Sequence, residues 1–288
     1  MNAWLVVNGF IGSKKFHEIY TFLSKAAEKR GIHLDIKTND ILASVPIGER
    51  ICKDEHPDFV LFWDKDIRLA KRLESEGLRL FNTASAIEIC DNKILTAESL
   101  SGYVRIPKTI ISPLTFEGIG YKSLDFVENA TRVVGLPMII KEAYGSFGAQ
   151  VYLASTLEDA KGIVTSLGHK PFIMQEFVSE SSGRDMRVNV VGDKIISAME
   201  RYNANDFRSN ISNGGSMRKA TLTPEIEEAA ISASHVLGLD FAGVDVLFGK
   251  DGPIICEVNS NPHFKSSLEC TGIDMSEAIL DHVLEQLK

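Results

Sequence analysis

The chain has 288 residues, with 31 Lys or Arg against 39 Asp or Glu, a formal net charge of −8. That acid surplus excludes general nucleic-acid binding, which needs basic side chains to displace phosphate counterions. With 44% hydrophobic and 24% charged residues, the composition is that of a folded globular protein rather than a collagen-like, low-complexity or disordered one. At roughly 150 residues per domain, the length suits about two domains. No apolar run approaches the ~20 residues that span a bilayer, and the N-terminus lacks the basic and apolar regions of a secretory signal, so a cytoplasmic protein without membrane contact is expected. Cys52, Cys90, Cys256 and Cys270 are too irregularly spaced for a disulfide framework or a zinc site and read as reduced thiols.

Ala3–Val7 is a short apolar run closed by Asn8-Gly9, the pattern of a strand. Phe16, Ile19, Tyr20, Leu23 and Ala27 recur at helical spacing, and Gly31 ends that helix. Leu34–Lys37, Phe59–Trp63 and Leu78–Phe81 read as further strands, with a helix over Ile67–Leu73. Strands alternating with helices imply a parallel sheet covered on both faces, an α/β domain over residues 1–82. Asn8-Gly9-Phe10-Ile11-Gly12 is not G-x-G-x-x-G, so no dinucleotide site is assigned there.

Asn82 and Thr83 are candidate caps for helices running from Ala84 towards Ser101, a connector over residues 83–105. Met138–Glu142, Ala149–Leu153 and Phe172–Gln175 then read as strands, with a helix over Leu157–Ser166. Val188–Val191 and Ile195–Met199 flank Gly192-Asp193, a two-residue hairpin signal. Asn203–Ser216 is polar and without apolar period, and is expected to stay mobile until ligands order it. Pro224 opens a helix to Leu237, a hairpin spans Val244–Val258, and a last helix starts near Met275.

Three groups of residues carry chemistry. Asp245, Glu257 and Asn259 lie on the last hairpin, on strands that are otherwise apolar. Carboxylates on a buried strand are costly without positive compensation, and two carboxylates with an amide suit magnesium; the plainer reading is a solvent-facing edge. A three-residue Lys250-Asp251-Gly252 loop would pair Gly249 with Pro253, Leu247 with Ile255 and Asp245 with Glu257. Val244, Val246, Cys256 and Val258 would then form the hydrophobic side. Lys141 ends a strand and precedes Tyr144-Gly145-Ser146-Phe147-Gly148, a workable phosphate grip, although a strand-end lysine is commonly only a solvated charge. Arg187, Arg201 and Arg208 fall within about twenty residues beside the polar segment, a concentration that favours anion handling.

The order of these motifs resembles the RimK-like (ribosomal-protein glutamate ligase-like) branch of the ATP-grasp superfamily, from about Asn82 to the C-terminus. The resemblance is carried by Asp91-Asn92-Lys93, Ile140-Lys141-Glu142 with Gly145 and Gly148, Gln175-Glu176-Phe177-Val178, Asp185-Met186-Arg187, Asp206-Phe207-Arg208-Ser209-Asn210, Ala242-Gly243-Val244-Asp245 and Glu257-Val258-Asn259. It implies an α+β ATP-grasp fold after the N-terminal α/β domain, with a small lid subdomain over 106–178 and a C-terminal subdomain over 179–288 sandwiching ATP. Lys93 and Lys141 would touch the phosphates beneath the loop of Gly145, Ser146 and Gly148. Gln175, Glu176, Phe177 and Val178 would form the hinge at the adenine edge, with Asp185 near the ribose. Arg208 and Asn210 would sit near the reacting phosphate, with Arg187 and Arg201 as further catalytic arginines. Asp245, Glu257 and Asn259 would hold Mg²⁺, with Mn²⁺ as the alternate ion.

The implied reaction activates a carboxylate as an acylphosphate, releasing ADP, and couples it to an amine with loss of phosphate. The substrates would be a carboxylate and an amine co-substrate, with an amino acid, a peptide or a protein tail as candidates and self-association left open. Ser260-Asn261-Pro262-His263-Phe264-Lys265-Ser266-Ser267 replaces the family's usual short Ser-Pro-Gly stretch. In part it resembles the branch acting on amino-group carrier proteins in lysine and arginine biosynthesis, which makes His263 and Lys265 candidates for the acceptor site. Two other classes stay open: a small-molecule kinase on the same scaffold and a non-catalytic ATP-binding regulatory protein.

Overall fold

A computed structural model describes residues 1–53, 55–146, 148–211 and 214–288. Phe147 of the glycine loop and Ser212 and Asn213 of the polar segment therefore lie outside the described residues. The N-terminal part is a four-stranded parallel sheet of order β2-β1-β3-β4, formed by β1 (Asn2–Val7), β2 (His33–Thr38), β3 (Phe59–Trp63) and β4 (Leu80–Phe81). Helices α1 (Lys14–Glu28), α2 (Asn39–Ala43) and α3 (Ile67–Ser75) accompany it. Every residue of β3 is buried, as its unbroken apolar run requires of a strand covered on both faces.

Thr83 caps α4 (Ala84–Asp91), its side chain accepting from the Ala86 N–H, and Asn92 caps α5 (Lys93–Leu100). Asn82 is no cap. It is fully buried, and its amide accepts from the backbone N–H groups of Asp240 and Phe241 while donating to the carbonyls of Phe241 and Ser260. A side chain taken for a local helix signal is a long-range clamp, because the chain here turns directly against a strand some 160 residues away.

The second sheet has the order β5-β8-β6-β7: β5 (Thr109–Ile111), β6 (Met138–Glu142), β7 (Val151–Ala154) and β8 (Phe172–Glu176), all antiparallel. It packs on α6 (Asp125–Val134) and α7 (Leu157–Leu167) through Val127, Ala130, Val164 and Phe172. The sequence reading assigns no element to α2, β5 or α6, nor to the later strand Ser216–Lys219 and helix Lys265–Thr271. The third sheet, β11-β10-β9-β12-β13, comprises β9 (Arg184–Val191), β10 (Lys194–Tyr202), β11 (Ser216–Lys219), β12 (Phe241–Gly249) and β13 (Gly252–Asn259). Helix α8 (Pro224–Val236) covers one face of it, and α9 (Lys265–Thr271) and α10 (Met275–Gln286) follow. The N-terminal core does not end at its own sheet: Phe241, Phe264, Ile279 and Leu280 belong to the same buried cluster as Leu5, Leu23 and Leu61. Trp63 stacks on Phe241 with ring centroids 5.3 Å apart. Among the described residues no helix is long and apolar enough to cross a membrane.

Candidate active site

The three sheets enclose one large cleft with a cavity of about 460 Å³, within the range of small-ligand sites. One wall is the last hairpin. Its register differs from the sequence expectation but reaches the same end. Gly249 pairs with Gly252, Phe248 with Pro253 and Leu247 with Ile254, so the turn holds two residues rather than three. A β-bulge then follows, with Val246 opposite Ile255 and Asp245 opposite Glu257, which leaves Cys256 as the extra residue. The bulge absorbs the one-residue slip and returns both carboxylates to the cleft face, while Val244, Val246 and Val258 stay in the core. Cys256, expected on the hydrophobic side, instead lines the cleft, where the Lys141 ammonium lies 3.5 Å from its sulfur. Burial pushes the Cys256 thiol up, so it is a neutral wall rather than a nucleophile.

Asp245 is the centre of a buried ion network. Arg187 grips both its oxygens, and Arg201 reaches it at 2.9 Å while also holding Asp185. Burial alone would raise the Asp245 pKa, but the two guanidinium charges outweigh it and hold the carboxyl below its ordinary value. Asp185, with a single arginine, is raised by burial. Arg187 packs beside Gly243, where a Cβ would meet Pro262 Cβ at 2.9 Å and the Arg187 Nη1 at 3.1 Å, so a side chain at 243 would crowd both.

The other two metal candidates have capacity to spare. Among the described residues Glu257 accepts no hydrogen bond and has no ion-pair partner, and Asn259 donates its Nδ2 to the Gly243 carbonyl, leaving its amide oxygen as an acceptor. Both line the cleft. Among the described residues no three His, Cys, Asp or Glu side chains form a metal cage by themselves. The set of two carboxylates and an amide oxygen nevertheless fits a hard cation that keeps other oxygen ligands, the behaviour of Mg²⁺ beside phosphates.

Lys141 is buried, lines the cleft, and has no carboxylate within ion-pair distance among the described residues. A buried ammonium without a counter-charge is a standing demand for an anion. Lys93 stands behind it, donating to the Gly145 carbonyl at 3.1 Å and lining a smaller cavity that shares Lys141, Gln175 and Glu257 with the main cleft. Burial lowers its pKa. Ser146 and Gly148 line the main cleft, and Gly145 holds φ +154 with Gln150 so close that a Cβ would meet its Oε1 at 2.4 Å. Gln175, Glu176, Phe177 and Val178 line the cleft where β8 ends; Gln175 leaves its buried Oε1 without a partner.

The segment expected to be mobile is tied down at several points. The Phe207 carbonyl accepts from the Gly183 N–H, and the Asn210 carbonyl from the Gly215 N–H. Arg208 is held by Asp206 at 2.7 Å and donates to the Gly148 carbonyl at 2.8 Å, so it bridges this segment to the glycine loop across the cleft. Asn210 lines the same cavity.

Residues unanticipated by the sequence reading come from the N-terminal domain: Asn8, Lys15, Trp63, Asp64 and Lys65 all line the cleft. Lys65 contacts Asp91 and lies 3.5 Å from the Ser146 hydroxyl. A signal for them existed, since ligands of open parallel sheets lie beyond the carboxyl ends of the strands, and Asn8 and Asp64 directly follow β1 and β3. Of the two acceptor-site candidates, His263 lines the cleft but Lys265 does not: it opens α9 and pairs with Glu18 on α1. Burial, reinforced by Lys15, lowers the His263 pKa from 6.5 to about 4. In the pH window from 6.5 down to 4 the unfolded chain takes up a proton that the folded one refuses, so this residue costs stability as pH falls. A His263→Gln variant should flatten the acid-side decline in stability measured by urea denaturation between pH 6.5 and 4, and an unchanged slope would remove His263 as a source of it.

A family model described as the RimK-like ATP-grasp domain matches residues 106–283, more than half of the chain. The sequence is 34% identical over 256 residues to the uncharacterized protein MG012 homolog of Mycoplasma pneumoniae, covering 85% of this chain and 86% of that one. It is 36% identical over 221 residues to the probable alpha-L-glutamate ligase 1 of Shewanella frigidimarina, covering 76% and 71%. The fold matches the crystal structure of a RimK domain ATP-grasp protein from Sphaerobacter thermophilus with a TM-score of 0.74 at 18% identity, over 98% of this chain and 99% of that one. These matches show that the chain belongs to the RimK-like ATP-grasp family and is an ATP-dependent carboxylate–amine ligase.

Proposed function

We propose that this ligase activates its carboxylate substrate as an acylphosphate and couples it to the amino group of an amino acid or peptide. The observation that carries this reading is that Glu257 and the buried Lys141 line one cleft and, among the described residues, neither is held in an ion pair, so a lysine is left for phosphate and a carboxylate for the metal that accompanies it. Lys141 is assigned to the ATP phosphates, with Lys93 supporting the glycine loop through the Gly145 carbonyl. Glu176, Phe177 and Val178 are assigned to the adenine edge. Asp245, Glu257 and Asn259 would hold Mg²⁺, which when bound neutralises phosphate oxygens that the protein's own cations do not reach. Asp185, buried against Arg201, is assigned to the floor of the site rather than to direct ribose contact. Arg187, shared between Asp245 and the end of the cleft near Lys15, is assigned to the substrate carboxylate; Lys15 feels Arg187 strongly enough for its own pKa to be lowered, after burial, by that charge.

In the first step a carboxylate oxygen attacks the γ-phosphorus, the bond to the bridging oxygen breaks, and ADP leaves. In the second the amine attacks the acyl carbon and phosphate leaves, with one proton released. No protein nucleophile is required, since positioning and charge neutralisation suffice for phosphoryl transfer. Arg208 fastens two loops over the cleft and so excludes the water that would hydrolyse the acylphosphate.

Turnover should yield ADP and phosphate, and detection of AMP and pyrophosphate as products would sink the acylphosphate route. Arg208→Ala should lower kcat by roughly 10²-fold while changing nucleotide affinity little, as expected of a group that acts on the transferring phosphate or its enclosure. A variant with full kcat and weakened nucleotide binding would instead place Arg208 in ground-state binding.

A further inference from the structure

The N-terminal sheet of order β2-β1-β3-β4 reverses its winding between β1 and β3: from β1 the chain moves one way to β2, and from β3 the other way to β4. In open parallel sheets the crevice at such a switch point, beyond the carboxyl ends of the two strands, is where ligands bind. The residues directly after those strand ends are Asn8 and Asp64, and both line the large cleft. They lie outside the segment, residues 106–283, that the family model matches.

Asp64 is 7% exposed. Its carboxylate accepts from Asn8 Nδ2 at 3.2 and 3.4 Å and from the Lys65 N–H at 2.7 Å, and the Asn261 side chain holds the Asp64 carbonyl at 2.9 Å. All of these partners are neutral groups. The adjacent Lys65 side chain is turned away to Asp91, and among the described residues Asp64 forms no ion pair. Burial raises its pKa above the ordinary carboxylate value, outweighing the hydrogen bonds from Lys65 N–H and Asn8 and the charge of the nearby Lys65. A buried carboxylate held by two neutral donors and lining a ligand cleft, with no ion-pair partner among the described residues, is set to receive a cation from the ligand.

We infer that Asp64, oriented by Asn8 and Asn261, binds the free ammonium group of an amino acid that serves as this ligase's carboxylate substrate, an amino group the reaction does not consume, and thereby selects against carboxylates whose amino group is blocked. The inference rests on the ligase reading above and adds to it a specificity determinant supplied by the N-terminal sheet. Asp64 lines the same cleft as Lys141, Glu257 and the glycine loop but is not among the residues assigned to the nucleotide.

The test is thermal-shift measurement on the full chain with ADP and Mg²⁺ present, adding either a pool of the twenty L-amino acids or the same pool N-acetylated. The expected result for the unmodified protein is a rise in Tm with the free pool and a much smaller one with the acetylated pool. Asp64→Asn keeps the hydrogen-bond acceptor for Asn8 and Lys65 but removes the charge. It should bind the free pool roughly tenfold or more weakly, erase the preference over the acetylated pool, and keep the Tm shift given by ADP and Mg²⁺ alone. Equal shifts from the two pools, no shift from the free pool, or a preserved preference in Asp64→Asn would each overturn the inference. Loss of the ADP shift in the unmodified protein would instead count against the nucleotide reading, so the two failures are told apart.

Discussion

Replacing Arg201 with Met is expected to destabilise the protein by about 3–5 kcal/mol at neutral pH, the range for breaking a buried ion pair from one side. Arg201 is 5% exposed and stands between Asp185 and Asp245, so its loss leaves two buried carboxylates facing each other with only Arg187 to compensate. Like charges at close range cannot both stay ionised, and one carboxyl should take up a proton, with Asp185, already raised by burial, as the group that does so. The sign follows: a folded-state pKa raised above the unfolded value gives stability that is present at low pH and lost as pH rises through the folded pKa. The deficit of the variant relative to the unmodified protein should therefore shrink towards pH 5. Urea denaturation at pH 7.5 and pH 5 measures it, and a variant within about 1 kcal/mol of the parent at pH 7.5 would show that the network carries little of the fold. Arg201→Lys should fall between, since one ammonium lacks the planar fork that now serves two carboxylates.

Asn82→Ala should cost about 3–5 kcal/mol, because four backbone groups lose their partner at once in a site without access to water. The lost contacts tie β4 to the start of β12 and to Ser260, which adjoins the metal candidate Asn259, so activity should fall along with stability. Denaturant unfolding checks the magnitude, and the ratio of kcat to KM for the amine substrate checks the reach. If Asn82→Ala unfolded at the parent's midpoint, the clamp would be incidental to the fold.

Hydrophobic patterning was enough to place most of the strands and long helices, since an all-apolar run such as Phe59–Trp63 can only be a buried strand and the stripe from Phe16 to Ala27 only a helix against a core. Pattern also selected the cleft-lining set of Lys141, Arg187, Asp245, Glu257 and Asn259, because charges on apolar strands announce a site that must neutralise them. What local sequence does not encode is pairing between distant segments. A three-residue turn and a two-residue turn with a bulge at Cys256 both put Val244, Val246 and Val258 on the α8 side and both carboxylates on the cleft; that demand rules out only a two-residue turn without a bulge, and the two surviving registers differ in where Cys256 goes. Asn82 looks like a helix cap until β12 is brought beside it. Asp64 and Asn8 look like ordinary residues at strand ends until the switch in strand order opens a crevice between them, and only the packing of the N-terminal sheet on Phe241 and Phe264 turns that crevice towards the nucleotide cleft. Short-range periodicity decides which face of an element is apolar, but which faces meet is decided by the burial of all of them together, and that is a property of the whole chain.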